Sequence, residues 1–82
     1  MRQPQTHFAR PWSLVEHSES FEVRSATNRI LAYVYFEDEP GRRGVTRRIA
    51  REDARRMAQQ ILRLPELLEE LKAHRAARDD PA

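Results

Sequence analysis

Residues 21–36 read Phe21-Glu22-Val23-Arg24-Ser25-Ala26-Thr27-Asn28-Arg29-Ile30-Leu31-Ala32-Tyr33-Val34-Tyr35-Phe36, and the periodicity of this stretch decides the fold. Its first four residues alternate apolar and charged, which is the period of a half-buried strand. Its last seven are rich in β-branched and aromatic side chains, which suit a pleated surface. Between them lies a polar segment in which Asn28 tolerates the left-handed backbone that a tight turn needs. The stretch is therefore predicted to be an antiparallel hairpin. With Thr27 and Asn28 as a two-residue turn, Phe21 faces Val34 and Val23 faces Ala32. One face then carries Phe21, Val23, Ile30, Ala32, Val34 and Phe36, and the other carries Glu22, Arg24, Leu31, Tyr33 and Tyr35. A loop one residue longer or shorter exchanges these partners. The first face is wholly apolar and is predicted to face inward.

Upstream, Trp12, Leu14 and Val15 form a short apolar cluster that ends at His17-Ser18-Glu19-Ser20, consistent with a first strand entering a turn. Met1–Pro11, with two prolines and an isolated Phe8, reads as a flexible arm. Downstream, Asp38-Glu39-Pro40-Gly41 ends the hairpin, and Gly44–Ile49 reads equally as a loop or as a short added strand. From about Ala50 the period becomes helical. Ala54, Met57, Ala58, Ile61, Leu64, Leu68 and Leu71 follow the three-and-four spacing of one buried stripe. Truncating Ile61 to Ala is accordingly expected to cost about 2 to 5 kcal/mol.

Glu52 and Asp53 suit the positive end of the helix dipole. Ala50 makes a poor cap, and Thr46 is the alternative, starting the helix earlier. Pro65 interrupts the pattern because it lacks an amide proton and its ring clashes with the preceding turn. This predicts either two helices, broken near Arg63, or one helix kinked at Pro65. Ala32, Ala54 and Ala58 are small enough to let sheet and helix approach closely. Arg75–Ala82 reads as a frayed, flexible tail. The predicted fold is α+β, a small three-stranded antiparallel ββ(β)α sheet packed on a C-terminal amphipathic helix, with one domain over residues 12–74 between an arm (1–11) and a tail (75–82).

Eighty-two residues hold one domain with a thin core, because a chain this short buries only about 60% of its unfolded surface. The absence of cysteine removes disulfides, thiolate nucleophiles and cysteine zinc sites, and fits a reducing, cytoplasmic setting. The longest apolar run, Ile30–Phe36, is far shorter than a membrane span of roughly 20 residues, and the start lacks the apolar stretch of a signal peptide. The isoelectric point of 9.7 accompanies a net charge of only +2, since 13 acids nearly balance 15 bases. All but one of those bases are arginine, so the high value reflects the guanidinium pKa more than a charge excess.

At Leu31-Ala32-Tyr33-Val34-Tyr35-Phe36-Glu37-Asp38-Glu39-Pro40-Gly41-Arg42-Arg43, and again at Ala54-Arg55-Arg56 and Leu64-Pro65-Glu66-Leu67-Leu68, the chain resembles a group of short alphaproteobacterial proteins with no assigned activity. The resemblance covers about Trp12–Leu71 and implies a bacterial cytoplasmic protein, without functional residues to carry over. The sequence departs from the group at Ala50, where a threonine or serine cap is expected, and at Thr27-Asn28-Arg29, where a glycine-containing turn is expected.

Two surfaces stand out as sites. Arg42, Arg43, Arg47, Arg48, Arg51, Arg55 and Arg56 crowd one stretch, opposed locally by Glu52 and Asp53 alone. On a helix Arg48, Arg51 and Arg55 share a face, a candidate phosphate-binding patch for nucleic acid. The plainer reading is a solvated face with Glu52–Arg55, Glu52–Arg56 or Asp53–Arg56 ion pairs. Leu31, Tyr33 and Tyr35 form the second, an outer-face apolar patch near a sheet edge, suited to a protein partner or a homodimer unless the helix, the arm or the first strand covers it. Of the two, association is the expected role and nucleic-acid binding the alternative.

Glu37, Asp38 and Glu39 lack the spaced ligands of a calcium loop. His7, His17 and His74 have no metal spacing. Ser13, Ser18, Ser20 and Ser25 have no recognisable His and acid partners, and Gly41 and Gly44 make no phosphate loop. No catalytic residue, metal or cofactor is therefore expected.

Overall fold

The protein is seen here in a computed structural model that describes residues 8–79; Met1–His7 of the arm, and Asp80, Pro81 and Ala82 of the tail, lie outside the described residues. Three strands, β1 (Ser13–Glu16), β2 (Ser20–Arg24) and β3 (Ile30–Tyr35), form an antiparallel meander in the order β1-β2-β3. Two helices follow, α1 (Pro40–Thr46) and α2 (Arg51–Asp79). The fold is α+β, with the sheet on one side of α2.

The predicted register holds at the centre of the hairpin, where Phe21 pairs with Val34 and Val23 with Ala32. The turn that produces it is different. The Ser25 amide donates to the Arg29 carbonyl (2.9 Å), the Asn28 amide donates to the Ser25 carbonyl (3.0 Å), and Asn28 has φ 64°. The loop thus has three residues, a tight turn followed by one left-handed residue. Such a loop pairs Arg24 with Ile30, one residue out of step with Val23 and Ala32. A bulge at this point absorbs the difference and leaves Leu31 as the extra residue of β3.

The bulge corrects two sequence assignments. Ile30, expected inside, is 52% exposed, while Leu31, expected on the outer face, packs against the core. Ser25, at the base of the loop, is buried, and its hydroxyl accepts the amides of Thr27 (3.3 Å) and Arg29 (3.2 Å). The Ala26 amide donates to the Ala9 carbonyl (2.8 Å) and thereby ties the end of the arm to the loop.

The segment after β3 is also more ordered than expected. Pro40, read as punctuation, begins α1, since a missing amide proton and a fixed φ are no handicap in a first helical turn. Helix α1 ends on Arg47, which has φ 59° and donates its amide to the Arg43 carbonyl. Gly44–Ile49 is therefore divided. Gly44–Thr46 close the helix, and Ile49 makes a single parallel bridge to Phe36, with the Glu37 amide donating to the Ile49 carbonyl (2.9 Å). Thr46 does not start α2. Its hydroxyl donates to the Arg42 carbonyl (3.0 Å) and accepts the Arg48 amide (3.3 Å), so it closes α1 instead. Helix α2 begins after Ala50, whose carbonyl takes the Ala54 amide (2.9 Å).

Of the two arrangements open at Pro65, the structure has one helix, which runs through the proline and continues to Asp79, past the start of the stretch read as a frayed tail. Its 29 residues make it about 43 Å long. The strands, of four to six residues, reach only about 13–20 Å.

Phe21, Val23 and Phe36 meet Ala54 and Ala58 to form the buried core. The two phenylalanine rings are in contact, tilted at 47° with centroids 5.3 Å apart. Both alanines are fully buried, which fits the expected role of small residues in drawing helix and sheet together. Trp12, Leu14, Leu31, Ala32, Val34, Ile61 and Leu62 pack around this centre, each only partly buried. Phe21→Ala is expected to cost about 3–5 kcal/mol. Ile61→Ala, at a half-buried site, falls toward the lower end of its range, about 2 kcal/mol. Urea unfolding compares the two, and an equal or larger loss at Ile61 contradicts this placement of the core.

Candidate functional site

The arginine stretch folds back onto the sheet. Arg51, in the first turn of α2, gives a forked pair of hydrogen bonds to Asp38 (3.1 and 2.7 Å) and a further one to Glu16 at the end of β1. Arg55, one turn on, reaches Glu16 as well (3.3 Å). Their guanidinium carbons lie 4.4 Å and 5.1 Å from the ring centroids of Phe36 and Phe21. Arg48 pairs with Glu19 in the β1–β2 turn (3.2 Å) and lies 4.9 Å from the Tyr35 centroid. Each of these three cations therefore has a carboxylate and an aromatic face, the arrangement in which a planar guanidinium binds best.

Arg43 donates to the backbone carbonyls of Glu37 (2.8 Å) and Asp38 (3.2 Å), and Arg42 lies 3.8 Å from the Glu37 carboxylate. Arg47 and Arg56 are exposed. The structure thus brings Arg48, Arg51 and Arg55 together as the sequence expects, but around Glu16, Glu19 and Asp38 rather than the helix neighbours Glu52 and Asp53. Nothing local in the sequence marks Glu16 or Glu19 as partners, because they lie about thirty to forty residues away and meet the helix only through the sheet.

On the outer sheet face Tyr33 and Tyr35 stack with centroids 5.9 Å apart, each about half exposed. Leu31 is missing from this patch because of the bulge. Between β1 and β3 on the same face lies Glu22, a buried carboxylate that accepts hydrogen bonds from Arg24 and from His17 Nε2 (2.7 Å). Arg24 first and His17 second hold its pKa below the ordinary carboxylate value, outweighing the effect of burial. The hydrogen bond from Arg51 does the same for Asp38. Of the three consecutive acids, Glu37 and Asp38 serve as counter-charges to Arg42 and Arg51. Among the described residues no group of three or more His, Asp or Glu side chains is placed to hold a metal ion.

Helix α2 supplies a third surface. Ala54, Ala58, Ile61, Leu62 and Pro65 point toward the sheet and the segment before it. At 3.6 residues per turn, Met57, Leu64, Leu67, Leu68 and Leu71 centre on a direction roughly 100° away. They are 39–54% exposed. This corrects the sequence reading of Met57, Leu64, Leu68 and Leu71 as part of one buried stripe. The strands are too short to follow the helix beyond about Pro65, and a single three-and-four pattern merges two adjacent faces. Leu67, omitted from that stripe, was recoverable from the spacing of Leu64, Leu67, Leu68 and Leu71. Beside this face, Phe8, Arg10 and Trp12 border two open recesses of about 330 and 420 Å³ against Leu62, Pro65 and Leu68. The Trp12 indole donates to the Phe8 carbonyl (3.2 Å).

No family model, curated protein or solved structure matches the chain. Among the described residues no helix is long and apolar enough to cross a membrane.

The ion pairs carry two expectations. Arg51→Ala and Arg55→Ala lower the melting temperature with no nucleic acid present, whereas Arg47→Ala and Arg56→Ala, at exposed positions, change it little; equal effects at all four contradict a structural role for the pairs. Because the pKa values of Glu22 and Asp38 are depressed in the fold, their contribution is present above the ordinary carboxylate range, around pH 4, and is lost as pH falls through the folded values. Glu22→Gln and Asp38→Asn should each flatten the acid limb of melting temperature against pH, and an acid limb unchanged in both contradicts the pairing.

Proposed function

We propose that the chain is a protein-interaction module that acts through the exposed leucine face of α2. The observation that carries this reading is the continuity of the face. Leu64, Leu67, Leu68 and Leu71 form one apolar stripe about 11 Å long on α2, roughly 100° round the helix from the docked side, with Met57 further along the same side beyond Gln60. Isolated exposed apolar side chains are ordinary, but a contiguous stripe on a helix is the surface that a partner helix or groove covers. The stacked Tyr33 and Tyr35, on the opposite layer, offer a second and smaller contact.

Nucleic-acid binding through Arg42, Arg43, Arg47, Arg48, Arg51 and Arg55 is the weaker reading. Phosphate would have to displace the carboxylates and backbone carbonyls that already hold five of the six. The proposed setting is the bacterial cytoplasm that the resemblance at Leu31–Arg43 implies.

A photo-activatable amino acid placed at Leu68 tests the proposal, with Glu66 on the far side of the helix as control. Irradiation in cells should yield polypeptide adducts from position 68 and few from position 66. Equal yields at the two positions, or none at Leu68, would overturn the reading.

A further inference from the structure

We infer that the partner on this face is a second copy of the chain, packed antiparallel along α2. The inference rests on the proposed role of the leucine face and goes on to name its occupant. Met57, Leu64 and Leu71 recur every seven residues, the repeat of a seam between two long helices; the alternate positions are Gln60, Leu67 and His74, so the apolar centre of the seam runs from Leu64 to Leu71. The sheet sits about a third of a turn away and leaves the seam open.

Charge makes the seam self-complementary. Arg63 and Glu70 lie seven residues apart on the same flank of the stripe. Their midpoint falls beside Leu67, which is also near the midpoint between Leu64 and Leu71. A two-fold axis through that point sets Leu67 and Leu68 of the two copies together and brings Leu64 of each near Leu71 of the other. It also places each Arg63 across from Glu70 of the second copy, so one pair of residues is used twice, as an isologous contact requires. A parallel pair would set Arg63 across from Leu68, five residues further along, and leave it without an acid. The antiparallel pair also puts the two sheets at opposite ends, beside the halves of α2 that carry Ala54 and Ala58.

Light scattering on the eluting full-length chain, with sedimentation equilibrium for affinity, tests this on wild type, Arg63→Glu, Glu70→Arg, and an equimolar mixture of the two variants. Wild type should elute at twice the 9.7 kDa chain mass. Each single variant replaces two attractions by two repulsions and should weaken the dimer by about tenfold or more. The mixture should restore it, because both cross-pairs then join Glu to Arg. Leu67→Glu should abolish the dimer with helix content unchanged by circular dichroism.

A dimer indifferent to both charge variants overturns the antiparallel seam, and one that survives Leu67→Glu overturns the face. A strict monomer, while a probe at Leu68 still captures another polypeptide, overturns the second copy but leaves the interaction module standing. A monomer with no adduct overturns both.

Discussion

Everything in this molecule follows from the contact of two alanines, Ala54 and Ala58, with the Phe21 and Val23 face of the central strand. A helix docks on a sheet only where its side chains let the backbones approach. Here the small positions lie in the first two turns of a helix far longer than the sheet is wide. The docked end is fixed by that contact and the remaining turns project past the sheet. The thin core and the exposed leucines are thus one fact seen from two sides. The apolar residues on the side of α2 roughly 100° from the docked one are left to meet something else.

The arginines strengthen a contact that apolar burial alone leaves small. Arg51 and Arg55 leave the first turns of α2 over the Phe36 and Phe21 rings and end on Glu16 and Asp38. Each side chain therefore sets its guanidinium over an aromatic ring and closes the edge of the core with an ion pair. Arg48, Tyr35 and Glu19 repeat the device at the next edge. Exposed ion pairs are individually weak, but these share partners and are anchored at both ends, which limits the entropy lost in holding them. A composition that suggests a polyanion ligand is, in this fold, largely internal wiring.

The fold was legible because its signals are local. Two-residue alternation at Phe21–Arg24 and the aromatic run at Ile30–Phe36 give the hairpin, and the alanines give the docking face. The central pairing of Phe21 with Val34 was also right, although it arises from two compensating features, a three-residue loop and a bulge, that alternation cannot distinguish from a two-residue turn. The cost of that degeneracy was the exchange of Ile30 and Leu31, which moved one residue out of the candidate patch. Helix α1 was missed because Pro40 and Gly41 signal a break as readily as a first turn. The split of the α2 stripe into two faces depends on strand length, and the arginine partners depend on tertiary approach. Neither quantity is written in the helix itself.

The central claim is that α2 docks by the side that carries Ala54, Ala58, Ile61 and Leu62 and presents a separate apolar face, roughly 100° round the helix, that extends past the docked turns. Methyl and aromatic nuclear Overhauser contacts within the chain test it most directly. The methyls of Ala54 and Ala58 should show contacts to the Phe21 and Phe36 rings, while those of Leu64, Leu67 and Leu71 should show none to Phe21, Val23 or Phe36. Contacts from those leucines to the sheet core would mean that the helix bends back over it, and the second face would not exist.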